Sequence, residues 1–102
     1  MERTREEKLA IARTIADQLG GHKFTVMTGA RQMDAIDGGL RFKLPSRKIN
    51  LVTITLDPTD TYTMKFEKYH GLNRKTIAEH SMVYDDMLQS IFTAETGLDT
   101  HL

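Results

Sequence analysis

The stretch LGGHKFTVMTGA, residues 19–30, gathers two glycines, a lysine and a Thr-Gly pair, the residue types from which phosphate-binding loops are made. Such a loop cradles an anion on backbone N–H groups only when a strand precedes the glycines and a helix N-terminus follows them. Here a helical pattern runs into Gly20-Gly21 and an alternating segment follows, the reverse order. The glycines are therefore expected to stop a helix, and Lys23 to hold no phosphate. The histidines, His22, His70, His80 and His101, suit proton transfer or metal ligation, but none stands four residues from another, the spacing that puts two imidazoles on one helix face. His80 lies near Glu79, Asp85 and Asp86, a set able to hold a hard cation. Adjacent carboxylates diverge by about 100° on a helix, so Asp85 and Asp86 are better suited to the positive end of one. The chain has no cysteine, no nucleophile elbow and no other catalytic signature. Neither a metal nor a cofactor is expected, and binding is expected ahead of catalysis.

The chemistry with the most residues behind it is electrostatic. Between positions 41 and 80, Arg41, Lys43, Arg47, Lys48, Lys65, Lys68, Arg74 and Lys75 give eight positive charges against four negative (Asp57, Asp60, Glu67, Glu79), a balance of +4. From position 81 onward Asp85, Asp86, Glu95 and Asp99 give −4, so the whole chain is neutral. Such asymmetry steers a partner even where the total cancels. Arg41, Lys43, Arg47, Lys48, Lys65, Arg74 and Lys75 are the candidate binding residues, able together to follow a phosphate backbone. A single-strand binder adds exposed rings on which bases stack. By parity Phe24, Phe42, Tyr62 and Phe66 face a core, which leaves Tyr69 as the platform.

Positioning these residues falls to the following elements. Thr4-Arg5-Glu6-Glu7 is a capping box, and Leu9, Ala12, Ile15, Ala16 and Leu19 recur at helical spacing, so an amphipathic helix is predicted up to Gly20. From Phe24 to Thr28 the period is two, which predicts a strand. Arg31 to Gly39, with Asp34, Asp37 and Gly38-Gly39, predicts a loop. Leu40, Phe42 and Leu44 alternate with Arg41 and Lys43 in a strand that Pro45 ends, and Ser46 to Asn50 is a polar loop. Leu51–Leu56 and Thr61–Tyr69 flank the turn Asp57-Pro58-Thr59-Asp60 and predict an antiparallel hairpin. Thr76–Glu79 is a further short strand. Ser81 is expected to cap a last helix with Tyr84, Met87, Leu88, Ile91 and Phe92 in one stripe, stopped at Gly97 with Leu98 folding back.

This order predicts one α+β domain over residues 1–102: an antiparallel meander of four to five strands with an N-terminal and a C-terminal helix packed on one face, in two layers. The other face then carries Thr25, Met27, Arg41, Lys43, Thr53, Thr55, Thr63, Lys65 and Glu67. Met64 and Met87 are expected in the core, Met27 and Met33 at the surface.

With 39% hydrophobic and 27% charged residues, the 102-residue chain has the material for one small core. No apolar run is long enough to cross a bilayer, and MERTREEKLA lacks the apolar stretch of a signal peptide, so a cytoplasmic protein with no membrane partner is expected. The segments LGGHKFTVMTGA, LRFKLP, INLVTITLDPTDTYTMKF and VYDDMLQSIFTAETGLDTHL resemble a family of small bacteriophage and prophage proteins of unassigned activity. The likeness covers nearly all of the chain after the first helix. It implies a phage or mobile-element origin and a place in the host cytoplasm, and assigns no functional residue. The function expected is that of a small accessory protein: a non-catalytic module binding a host or phage protein, or a second copy of itself. It would use the open sheet face, a strand edge or the Arg31–Gly39 loop. Nucleic acid on the basic face is the alternative.

Overall fold

Helix α1 (Arg5–Leu19) begins at its capping box. In the computed structural model, which describes residues 4–100, the Glu7 N–H donates to Thr4 Oγ1 (3.1 Å) and the Thr4 N–H to Glu7 Oε1 (3.4 Å). Ala12, Ile15 and Leu19 are buried, whereas Leu9, expected on the same stripe, is exposed. Gly20, at φ 128°, closes the helix, and a Cβ there would approach Phe24 Cβ and the Thr100 carbonyl to 3.3 Å each. Only glycine fits this reversal.

Residues 24–28 do not form the expected strand; they belong to helix α2 (Gly21–Thr28). Phe24 and Thr28, one helical turn apart, are both buried, while Val26 between them is 66% exposed. The Phe24–Val26–Thr28 alternation is therefore not a face. The Thr25 and Thr28 hydroxyls donate back to the Gly21 and Phe24 carbonyls (3.4 and 2.8 Å), so these β-branched residues bond within the helix. Gly29, left-handed at φ 73°, ends it.

The Arg31–Gly39 segment is not a loop. It contains β1 (Arg31–Ile36), a two-residue turn at Asp37-Gly38 and the start of β2 (Gly39–Lys43). A bulge between Arg31 and Asp34, with Gln32 at φ 53°, breaks the alternation by which a strand is recognised. Then come β3 (Leu51–Leu56), β4 (Tyr62–His70) and β5 (Asn73–Val83). All neighbours are antiparallel, in the order β1-β2-β3-β4-β5, so the meander is as expected, with five strands. The β3–β4 hairpin pairs Leu51 with Glu67 through to Leu56 with Tyr62.

Strand β5 is longer than Thr76–Glu79 because two irregularities, one opposite Phe66/Glu67 and one opposite Tyr62/Met64, hide its period. Ser81 lies inside this strand and caps nothing. A short 3₁₀ turn (Asp85–Met87) leads instead into helix α3 (Leu88–Thr96), closed by Gly97 at φ 74°. Leu88 and Phe92 are buried, while Tyr84 and Met87, expected beside them, are exposed. Met33, expected at the surface, packs partly buried against the core, and Leu98 does the same.

The helices cover one face of the sheet. Phe42, Val52, Ile54, Met64 and Phe66 are fully buried there, and Phe24 of α2 meets Phe42 at 5.4 Å and Phe92 of α3 at 5.0 Å, both edge to face. The Gln89 amide donates to the Leu19 carbonyl (3.1 Å), satisfying an orphan acceptor at the end of α1. Gly39 is required by close approach, since a Cβ would sit 2.1 Å from the Ile54 carbonyl oxygen. Among the described residues no helix is long and apolar enough to cross a membrane.

The helical register of α2 makes a sharp prediction. Phe24→Ala should cost about 3–5 kcal/mol, and Val26→Ala should stay within about 0.5 kcal/mol. Urea denaturation midpoints of the two variants check this, because a strand at 24–28 would make both substitutions costly.

Candidate functional site

Because Phe42 points at the helices, its neighbours Arg41 and Lys43 point the other way. Cross-strand pairing then builds two rows on the uncovered face. One runs Asp34, Arg41, Thr53, Lys65, Glu79, and the other runs Arg31, Lys43, Leu51, Glu67, Thr76. Thr55 and Thr63 share this face by the same pairing, as expected, but Thr25 and Met27 do not, since both belong to α2. Tyr69 pairs with Arg74 on this face.

Glu67 is the electrostatic centre of the face. Its side chain is only 3% exposed, and Arg74 clasps it with two bonds, Nε to Oε2 at 2.5 Å and Nη2 to Oε1 at 2.8 Å. The Arg74 hydrogen bonds hold the Glu67 carboxyl below its ordinary pKa against the opposing effect of burial, and Arg74, Lys65 and Arg41 add charge attraction. The same bonds raise the Arg74 guanidinium. Beside this pair the Asn50 side chain acts as a short strand: its amide donates to the Tyr69 carbonyl and its carbonyl accepts from the Tyr69 N–H, each at 2.9 Å. The Tyr69 backbone is thereby held, and Lys43 Nζ stands 5.3 Å from the centre of its ring.

Arg41, Lys43, Tyr69 and Arg74 help to line a cleft of about 440 Å³ across one end of the sheet, within the ~300–1,000 Å³ range of ligand sites. Leu51 is buried at its floor, Arg41, Lys43, Tyr69 and Arg74 stand around it, and Asp34 and Leu72 reach its rim. Leu72, in the β4–β5 turn beside Gly71 (φ 61°), is fully exposed. Arg74 is neutralised by Glu67, which leaves Arg41, opposite Asp34, and Lys43, opposite Arg31, as the remaining cations of the lining.

Of the seven basic residues selected from the sequence, Arg41, Lys43 and Arg74 meet in the cleft. Lys65 lies on the same face beyond it, in the row with Thr53 and Glu79. Arg47 and Lys48 are exposed on the β2–β3 loop outside the cleft. Lys75 pairs with Lys68 on the opposite side of the β4–β5 hairpin. Tyr69 was the ring left exposed by parity, and it is on the open face. Asp34, Leu51 and Leu72 had no place in the sequence-based site; the Gly71 turn signal between two alternating segments is the one clue that a tip residue would project there.

His80 turns toward α3, where Nε2 lies 3.5 Å from Glu95 Oε1, and its ring meets Phe66 edge to face. Asp85 and Asp86 begin the 3₁₀ turn before α3. No group of three or more potential metal ligands occurs among the described residues, and His101 lies outside them. No protein-family model, no curated protein and no solved structure matches the chain.

The depressed Glu67 pKa couples stability to pH. Its contribution is complete above the ordinary carboxylate pKa of the unfolded chain and is lost as pH falls through the lower folded value. Glu67→Gln should therefore melt at a lower temperature at neutral pH, and the gap to the parent chain should close on acidification through that window. Thermal melts of both proteins across acid pH measure the closure.

Proposed function

We propose that the chain is a non-catalytic binding module that engages an acidic protein partner on the uncovered face of its sheet. The phage or mobile-element setting implied by the sequence resemblance belongs to the same proposal. The observation that carries it is the convergence of Arg41 and Lys43, neither of them ion-paired among the described residues, with the fully exposed Leu72 on one concave site. Charged groups give a partner its orientation and on-rate, and an apolar contact gives the complex area to bury. The strand edges are less suited to pairing. β1 is bulged between Arg31 and Asp34, and β5 is interrupted twice, with Met82 left-handed at φ 55°. Bulged edges resist strand addition.

A second reading, nucleic-acid binding, has one observation in its favour: the Lys43–Tyr69 pair joins a cation and a ring on the open face. Against it, carboxylates occupy both ends of the Asp34–Arg41–Thr53–Lys65–Glu79 row.

The double variant Arg41→Glu/Lys43→Glu separates the readings. Both side chains face away from the core, so the variant should stay folded and unfold cooperatively, at a modest cost in stability because Arg41 no longer attracts the Glu67 carboxylate. In a pull-down from nuclease-treated bacterial lysate, the parent should retain a defined protein that the variant releases. Anisotropy titrations with labelled single-stranded DNA at low and near-physiological salt supply the second arm. Salt-sensitive DNA binding abolished in the variant would put nucleic acid in place of the protein partner.

A further inference from the structure

The cleft has a more specific chemistry than a basic face alone. Arg41 and Lys43 are successive open-face residues of one strand, about 7 Å apart at the backbone. Together they frame a space wide enough for one carboxylate, which a guanidinium binds through two parallel N–H groups. Asp34, across the strand pair from Arg41, makes a second anion at the rim unfavourable. The remaining contacts are apolar: Leu51 forms the floor, Tyr69 is held by Asn50, and Leu72 projects uncovered from the hairpin tip. A leucine wholly in solvent beside a buried leucine and a half-buried ring is the arrangement that a large apolar side chain from outside would complete.

Resting on the acidic-partner reading above, we propose that the cleft recognises a peptide segment of the partner in which a single carboxylate side chain adjoins one large apolar side chain. The carboxylate lies between Arg41 and Lys43, and the apolar side chain packs on Leu51, Tyr69 and Leu72. A uniformly charged chain gains less inside the cleft, where its further charges would lie against Leu51 and Leu72 or, beside Arg41, against Asp34.

The test uses the full chain and short end-blocked, fluorescently labelled Gly-Ser peptides with a central Glu-Phe, Gln-Phe or Glu-Ala, and labelled oligo-dT. The Glu-Phe peptide should bind at least about tenfold more tightly than the other two peptides, and Arg41→Glu/Lys43→Glu should abolish this binding. Leu72→Ser, at a solvent-exposed tip that cannot unfold the core, should weaken the Glu-Phe peptide and leave Glu-Ala unchanged. Equal binding of all three peptides, no binding of any, or tighter binding of oligo-dT overturns the proposal. If the peptides fail while lysate capture still depends on Arg41 and Lys43, the peptide chemistry is wrong and the acidic-partner reading stands. If capture also ignores those residues, both fall.

Discussion

The edge-to-face cluster of Phe24, Phe42 and Phe92 is the contact on which the rest of the molecule depends. It joins α2, β2 and α3, with Phe24 touching both other rings. Such pairs add about 0.5–1.5 kcal/mol beyond the area they bury, and all three rings are fully buried. Their geometric effect is larger than that figure suggests. Once Phe42 is committed to the helices, the two-residue period of β2 places Arg41 and Lys43 on the other side. The same aromatic contact that closes the core therefore displays the cations, and the open face inherits its geometry from packing on the covered one.

That open face must persist in water with no second layer over it. Thr53, Thr55 and Thr63 supply branched side chains that suit a pleated surface without apolar exposure. Leu51 and Glu67 are buried nonetheless, one apolar and one charged, side by side in the register. Arg74 makes the buried charge tolerable, because an unpartnered carboxylate there would be costly. Asn50 extends the ladder past the end of β3: it accepts from the Leu44 N–H and donates to the Glu67 carbonyl (both 3.1 Å), and its side chain continues to Tyr69. The cleft is thus held by backbone-directed bonds more than by its own side chains, which leaves Arg41, Lys43 and Leu72 available.

The regular parts of this architecture were legible because their periods are clean. Strands β2, β3 and β4 alternate without interruption, and the capping box at Thr4 and the stop at Gly97 are local chemistry. What misled was irregularity. α2 is too short for its turn of buried residues to outweigh an accidental alternation, and its burial is decided by Phe42 and Phe92, far away in sequence. β1 and β5 carry bulges that erase the period-two signal, so one was expected as a loop and the other as a fragment. The candidate site was legible by sign and by face for Arg41, Lys43 and Lys65. It was not legible for Arg74, whose charge is spent on Glu67, nor for Asp34, whose place beside Arg41 depends on a pairing hidden by the β1 bulge.

Asp34 and Glu79 change what the basic segment means. Summed along the chain, residues 41–80 are strongly positive; laid out in register, the row through Arg41 and Lys65 ends in carboxylates, while the row through Lys43 begins at Arg31. Neighbouring strands are about 5 Å apart, and charges interact over roughly 8 Å at physiological ionic strength, so each border acid acts on the adjacent base. A polyanion crossing the sheet along the Arg41 row would have to pass Asp34 on one side and Glu79 on the other. A ligand with a single anionic group need not cross either border. Along that row the distribution of charge suits a single acidic group better than an extended polyanion, which is the charge argument behind the protein-partner proposal, and Leu72 adds an exposed apolar contact at the rim.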